Sequence, residues 1–142
     1  MRHGLHLTAD LCGCSPHTAA MTDPDALRAL CHHAIATAGL LAVGELFHHF
    51  PAPGGVTGVV LLAESHLAVH TWPELGAVML DIHVCNRSAD HGERAKTALM
   101  LLEQAFEPAS VHRQQLQRRL GEAVSWPAPD APGAGARTGS AR

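Results

Sequence analysis

The sequence predicts an α+β fold: a two-layer sandwich of one antiparallel sheet with helices on one face. Three observations lead there. Near the N-terminus Leu5, Leu7, Ala9 and Leu11 alternate with His6, Thr8 and Asp10, the period-two pattern of a half-buried strand. Two segments with apolar residues at helical spacing stand apart in the chain, around Leu27 to Ala38 and Ala95 to Leu102. Between them lie three or four short extended stretches separated by turn residues, so helices bracket a run of hairpin-connected strands.

Taken in order, GCSPH breaks the first strand. Thr22 or Asp23 then caps a helix that carries Pro24 in its first turn and stops at Gly39. Leu40 to Phe50 reads as a second strand, ended by PAPGG. Val56 to Ala63 and His66 to Thr71 are two more extended segments with little between them. WPELG turns the chain, and Ala77 to Val84 returns as another strand. A second helix spans Asp90 to Phe106, and the polar segment Ser110 to Leu120 fits an edge strand. The domain therefore covers residues 1–122. Residues 123–142, which include the low-complexity PAPDAPGAGARTGSAR, are expected to form a disordered tail. Helices on one face leave the other face of the sheet to be covered, most simply by a second copy of the chain.

Composition removes several function classes. A chain of 142 residues matches one domain. A net charge of -3 and a pI of about 6.4 give no electrostatic footprint for nucleic acid. Charges of both signs are interspersed, and apolar runs such as Val59 to Ala63 are far too short to span a bilayer, so no membrane partner is expected. Met1 to Gly4 leads into the first strand without a signal-peptide hydrophobic block, and a cytoplasmic location is the expectation. Cys12, Cys14, Cys31 and Cys85 form no CxxC pair and are expected as free thiols. Twelve histidines stand against no tyrosine. Of these, His3, His17, His32, His91 and His112 are expected to be ordinary solvent-exposed side chains.

The chemistry concentrates in AESHLAVHTWPE, Ala63 to Glu74. Three readings of Glu64, Ser65, His66, His70, Asp81, His83 and Cys85 stand side by side. His66 and His70 share a strand face and, with His83 or Cys85 on the next strand, could complete a tetrahedral metal site. A Ser or Cys nucleophile could work with a histidine base. The imidazoles could also do no more than satisfy core polar groups. Spacing alone leaves all three open. Ser65 and Thr57 nevertheless lie close to two histidines in segments that should be buried, and Trp72-Pro73-Glu74 follows directly. Buried hydroxyls, imidazoles and a carboxylate need partners or cost stability, so this density points to a site.

ESHLAVHTWPE, followed by DIHVC at Asp81 to Cys85, resembles the signature of the prokaryotic S-adenosylmethionine decarboxylase proenzymes. HLTADLCGC resembles that family's opening strand, and LFHHF and GVTGVV resemble the segments before its processing site. The likeness runs over about residues 3 to 120. It implies a proenzyme that cuts itself between Glu64 and Ser65: Ser65 Oγ attacks the Glu64 carbonyl, β-elimination releases the upstream chain, and the remnant of Ser65 hydrolyses to a covalent pyruvoyl group. It implies that this ketone takes the substrate amine as a Schiff base and acts as an electron sink during decarboxylation. His70 matches the histidine that assists processing, and Thr57 stands where a serine usually supports it. Cys85 matches the acid that protonates the product carbanion. Phe50 matches the aromatic that stacks on adenine, with Trp72 and Glu74 lining the same pocket and reaching it across a dimer interface.

The substrate implied is S-adenosylmethionine. The product would be the decarboxylated aminopropyl donor for spermidine, and the assembly a homodimer of processed units. The chain departs from the family pattern at Ala77, where a tyrosine is usual, and at His83 and Val84, where an aromatic and a threonine are common. Asn86 replaces a glycine, and PAPGG is one residue longer than its counterpart. Two other functions remain in view: a pyruvoyl-dependent arginine or ornithine decarboxylase, and an unprocessed histidine-rich metal-binding or regulatory protein.

Overall fold

The computed structural model describes residues 2–85 and 91–121. The expected tail lies outside the described residues, as does Asp90, the expected first residue of the second helix. Six strands form one sheet: β1 (Arg2–Cys12), β2 (Ala42–His49), β3 (Val56–Leu62), β4 (Ser65–Trp72), β5 (Ala77–Cys85) and β6 (Ser110–Leu120). Two helices accompany them, α1 (Pro24–Thr37) and α2 (Gly92–Ala105). The strand order is β2-β3-β4-β5-β1-β6, and every neighbouring pair is antiparallel. This is the α+β sandwich with an antiparallel sheet that the alternation and the two helical periods predict.

Each element has a local cause. The Asp23 carboxylate accepts the Asp25 N–H at 2.9 Å, which caps α1, and Pro24 occupies a position whose missing N–H costs nothing. At the other end the Gly39 N–H donates to Ala36 O and the Leu40 N–H to Ile35 O, with Gly39 at φ 75°. That pair of bonds is a Schellman stop. It draws Leu40 into the core at 7% exposure, so β2 begins at Ala42 rather than at Leu40. Polar β6 forms because β1 offers it a full ladder, from Arg2 opposite Leu120 to Cys12 opposite Ser110.

Period-two patterning sends Leu7, Ala9, Leu11, Val60, Leu67, Val69, Leu80 and Ile82 toward the helices, where they meet Leu27, Ile35, Leu99 and Leu102 in one core. Glu103 is buried at the end of α2, and Arg113 of β6 grips it through two charge-assisted bonds of 2.8 and 2.7 Å. Among the described residues no helix covers the opposite sheet face. Its residues run in rows across the strands. Gly44, Leu61, His66, His83, His6 and Leu116 form one row. His48, Thr57, His70, Met79, Asp10 and His112 form another, two rows away.

Candidate active site

Ala63 and Glu64 are the two turn residues of the β3–β4 hairpin, with Leu62 paired to Ser65. Ser65 therefore heads β4 directly after a tight turn. By parity it belongs with the helix-facing residues Leu67, Val69 and Thr71, yet its Oγ lies 2.9 Å from His83 Nδ1 and 3.3 Å from His66 Nδ1 on the open face. The backbone there has φ 155°, a conformation that L-residues seldom adopt and that stores strain at this peptide. On the other side of the same peptide, the Cys85 N–H donates to Glu64 O at 2.9 Å. The Glu64–Ser65 bond is thus strained, its carbonyl polarised by a backbone donor and its serine hydroxyl in contact with two imidazoles.

Around this point Asp81 holds two rings: its Oδ2 lies 2.7 Å from His6 Nε2 and 3.5 Å from His66 Nε2. These three ligand atoms lie within 4.8 Å of one another. The carboxylate oxygen is hydrogen-bonded to His6 and also faces His66, so we read the trio as a polar cluster rather than a metal site. The tetrahedral metal site that His66 and His70 could have completed does not form among the described residues. The two face the same way, but four strand residues separate them by about 13 Å at ~3.3 Å per residue, too far to share an ion. His83 packs against His6 and His66, with ring centroids 5.4 and 5.6 Å away. Burial lowers its pKa first, with Arg118, His6 and His66 acting in the same direction and Asp81 against them. Gly4 makes room for the ring, since a Cβ there would come within 2.9 Å of Nε2.

The other sequence-picked residues gather at the far end of β4. Thr57 Oγ1 and His70 Nδ1 are 3.1 Å apart across the β3–β4 ladder, and His70 sits 5.8 Å from the Trp72 ring. Phe50, Pro51, Pro53, Thr57, Trp72 and Glu74 line one cavity of about 290 Å³. Phe50 is held edge-on by His48 at 4.6 Å, yet remains 49% exposed. Within one chain, then, Glu64, Ser65 and Cys85 form one cluster, and Thr57, His70, Phe50, Trp72 and Glu74 another. Five extended residues place His70 about 16 Å from Ser65.

Of the four thiols, Cys14 and Cys31 are buried. Burial raises Cys14, and burial followed by Glu45 pushes Cys31 up to about 12, which leaves both inert as nucleophiles. Half-buried Cys85 is the one beside the strained peptide. Three sequence expectations need correction: His3 is half-buried, with its Nδ1 enclosed. His91 is buried, 8% exposed, at the position just before α2, where its carbonyl accepts the Ala95 N–H. His32 is half-buried in an ion pair with Glu45 of β2. Sequence reasoning also missed His6, whose bond to Asp81 links residues far apart in the chain.

The sequence matches the S-adenosylmethionine decarboxylase family over residues 5–119. It is 34% identical to an S-adenosylmethionine decarboxylase proenzyme of Pyrococcus furiosus across 84% of this chain and 81% of that one. With the proenzyme of the same name from Moorella thermoacetica the identity is 37%, across 84% of this chain and 90% of the relative. The fold superposes on the crystal structure of the adenosylmethionine decarboxylase from Aquifex aeolicus with a TM-score of 0.74 at 31% identity, covering 87% of this chain and 97% of that one. This chain belongs to the S-adenosylmethionine decarboxylase family.

Proposed function

We propose that this protein is an S-adenosylmethionine decarboxylase, made as a proenzyme that cuts itself between Glu64 and Ser65 and keeps residue 65 as a pyruvoyl group. One observation carries the reading: the Glu64–Ser65 peptide is strained at Ser65, and its carbonyl accepts the Cys85 N–H. The site fits the group, because the serine that would become it already stands at the head of a strand between a backbone donor and two imidazoles. Once formed, the pyruvoyl ketone supplies the electron sink for loss of carbon dioxide. The Cys85 N–H stabilises charge developing on the Glu64 oxygen during self-cleavage. The Cys85 thiol donates the proton that closes turnover. The product is the aminopropyl donor for spermidine.

The split site supports a homodimer. Ser65 and Cys85 lie at one end of the open face, Thr57, His70, Trp72 and Phe50 at the other. A two-fold axis through that face lays one end of each β4 over the opposite end of its partner, so each complete site takes residues from both copies. Leu46, Leu61, Met79 and Leu116 stand exposed on the same face, an apolar surface of the kind that marks an interface.

The cavity walls of Phe50, Pro51, Pro53 and Trp72 suit a purine, and Glu74 can meet its ribose. Stacking a base on an aromatic is worth roughly 1–3 kcal/mol. Phe50→Ala therefore raises KM for S-adenosylmethionine about ten- to a hundredfold. It leaves self-cleavage unchanged, since Phe50 contacts neither Ser65 nor Glu64. Carbon dioxide release from labelled S-adenosylmethionine, arginine and ornithine checks this. Preferred turnover of arginine or ornithine, indifferent to Phe50, would overturn the substrate while leaving the self-processing intact.

A further inference from the structure

The residue at reacting distance from the nucleophile is one that the family resemblance does not supply. Where an aromatic is common, this chain has His83, and its Nδ1 sits 2.9 Å from Ser65 Oγ. His70 is about 16 Å away along the same strand. We propose that His83 is the general base of the first self-processing step, taking the Ser65 hydroxyl proton as Oγ attacks the Glu64 carbonyl within one chain. The proposal rests on the self-processing reading above.

The proton balance closes on this chain's own atoms. The Oγ–H proton passes to His83 Nδ1 as the Oγ–C bond forms. The Cys85 N–H steadies the oxyanion on Glu64. The C–N bond then breaks, and the Ser65 nitrogen takes the proton back from the imidazolium. An ester and a free amine result, with no proton gained or lost.

Three features fit His83 to the part. A base needs its receiving nitrogen bare, so Nδ1 accepts from the hydroxyl and Nε2 carries the ring hydrogen. Nε2 is buried, faces Gly4 and has no hydrogen-bond partner among the described residues. An imidazolium formed there is poorly stabilised and passes its proton on. Burial, Arg118 of β6, His6 of β1 and His66 of β4 all favour the neutral ring, against the single opposing charge of Asp81 on β5. His66, the other imidazole on Ser65 Oγ, is more distant at 3.3 Å, and its far nitrogen faces Asp81.

The test isolates the first step. Parent, His83→Phe and His83→Gln precursors are made by cell-free translation and chased in hydroxylamine, which cuts an ester between residues 64 and 65 whichever later step is slow. General bases contribute about 10²–10⁴-fold. Both variants are expected to yield the cut at least about a hundredfold more slowly than the parent. The parent rate should fall as pH drops through the lowered pKa of His83, and the Gln variant should lose this limb, which a merely structural role would not change. Parent-like ester formation in either variant, or an acid limb that persists in His83→Gln, overturns the assignment. A parent that stays uncut in hydroxylamine sinks the self-processing reading instead, so the two failures are distinguishable.

Discussion

Ser65→Ala leaves the chain whole and abolishes decarboxylation. Alanine has no nucleophile to turn the Glu64–Ser65 peptide into an ester, so neither cleavage nor the ketone follows. The effect on activity is expected to be total, because without Oγ the ester that precedes the proposed ketone never forms. The substitution is mild for the fold. Ser65 pairs through its backbone with Leu62 and Val84, and among the described residues its Oγ bonds to the His66 and His83 rings at the open face. The strained φ of 155° persists, and alanine tolerates it no worse than serine does. Gel electrophoresis and a carbon dioxide release assay read the outcome. A Ser65→Ala chain that still separates into residues 1–64 and 65–142 would refute the mechanism.

Cys85→Ala separates cofactor formation from turnover. In the proposed mechanism self-cleavage needs only the backbone N–H of residue 85 on Glu64 O, which alanine keeps. The thiol is lost, and with it the proposed acid for the product carbanion. Turnover should fall by about two to three orders of magnitude, within the usual range of general acid catalysis. Protonation at the wrong carbon should also become more frequent, leaving an amine where the ketone was and inactivating the enzyme faster per turnover. Turnover and inactivation rates equal to the parent's would remove Cys85 from the chemistry.

The fold was legible because its signals are local. Alternation at Leu5 to Leu11 depends on parity alone, and Asp23, Pro24 and Gly39 act within a turn of the residues they cap. Polar β6 was readable as an edge strand because an edge needs backbone partners more than apolar side chains. The site was legible in part. The string from Glu64 to Glu74 marked the peptide that the structure strains, and Phe50, Trp72 and Glu74 do share one cavity.

What remained hidden depends on register. The Ser65–His83 contact requires Ser65 opposite Val84 and a backbone torsion that carries Oγ to the other face. Local spacing encodes neither. His66 and His70 invited a metal reading because an even interval shares a face, but strand rise separates them where helix pitch would not. Ser65 Oγ is carried to the face that His70 shares, but about 16 Å of strand separates them within one chain. Only a second copy can unite them.

Intact mass spectrometry of the purified protein decides whether the chain cuts itself. Self-cleavage yields two chains, residues 1–64 ending at Glu64 and residues 65–142, the second beginning with a ketone in place of an amino group. A single chain of 15.0 kDa, running from Met1 to Arg142 with Ser65 intact, would contradict it.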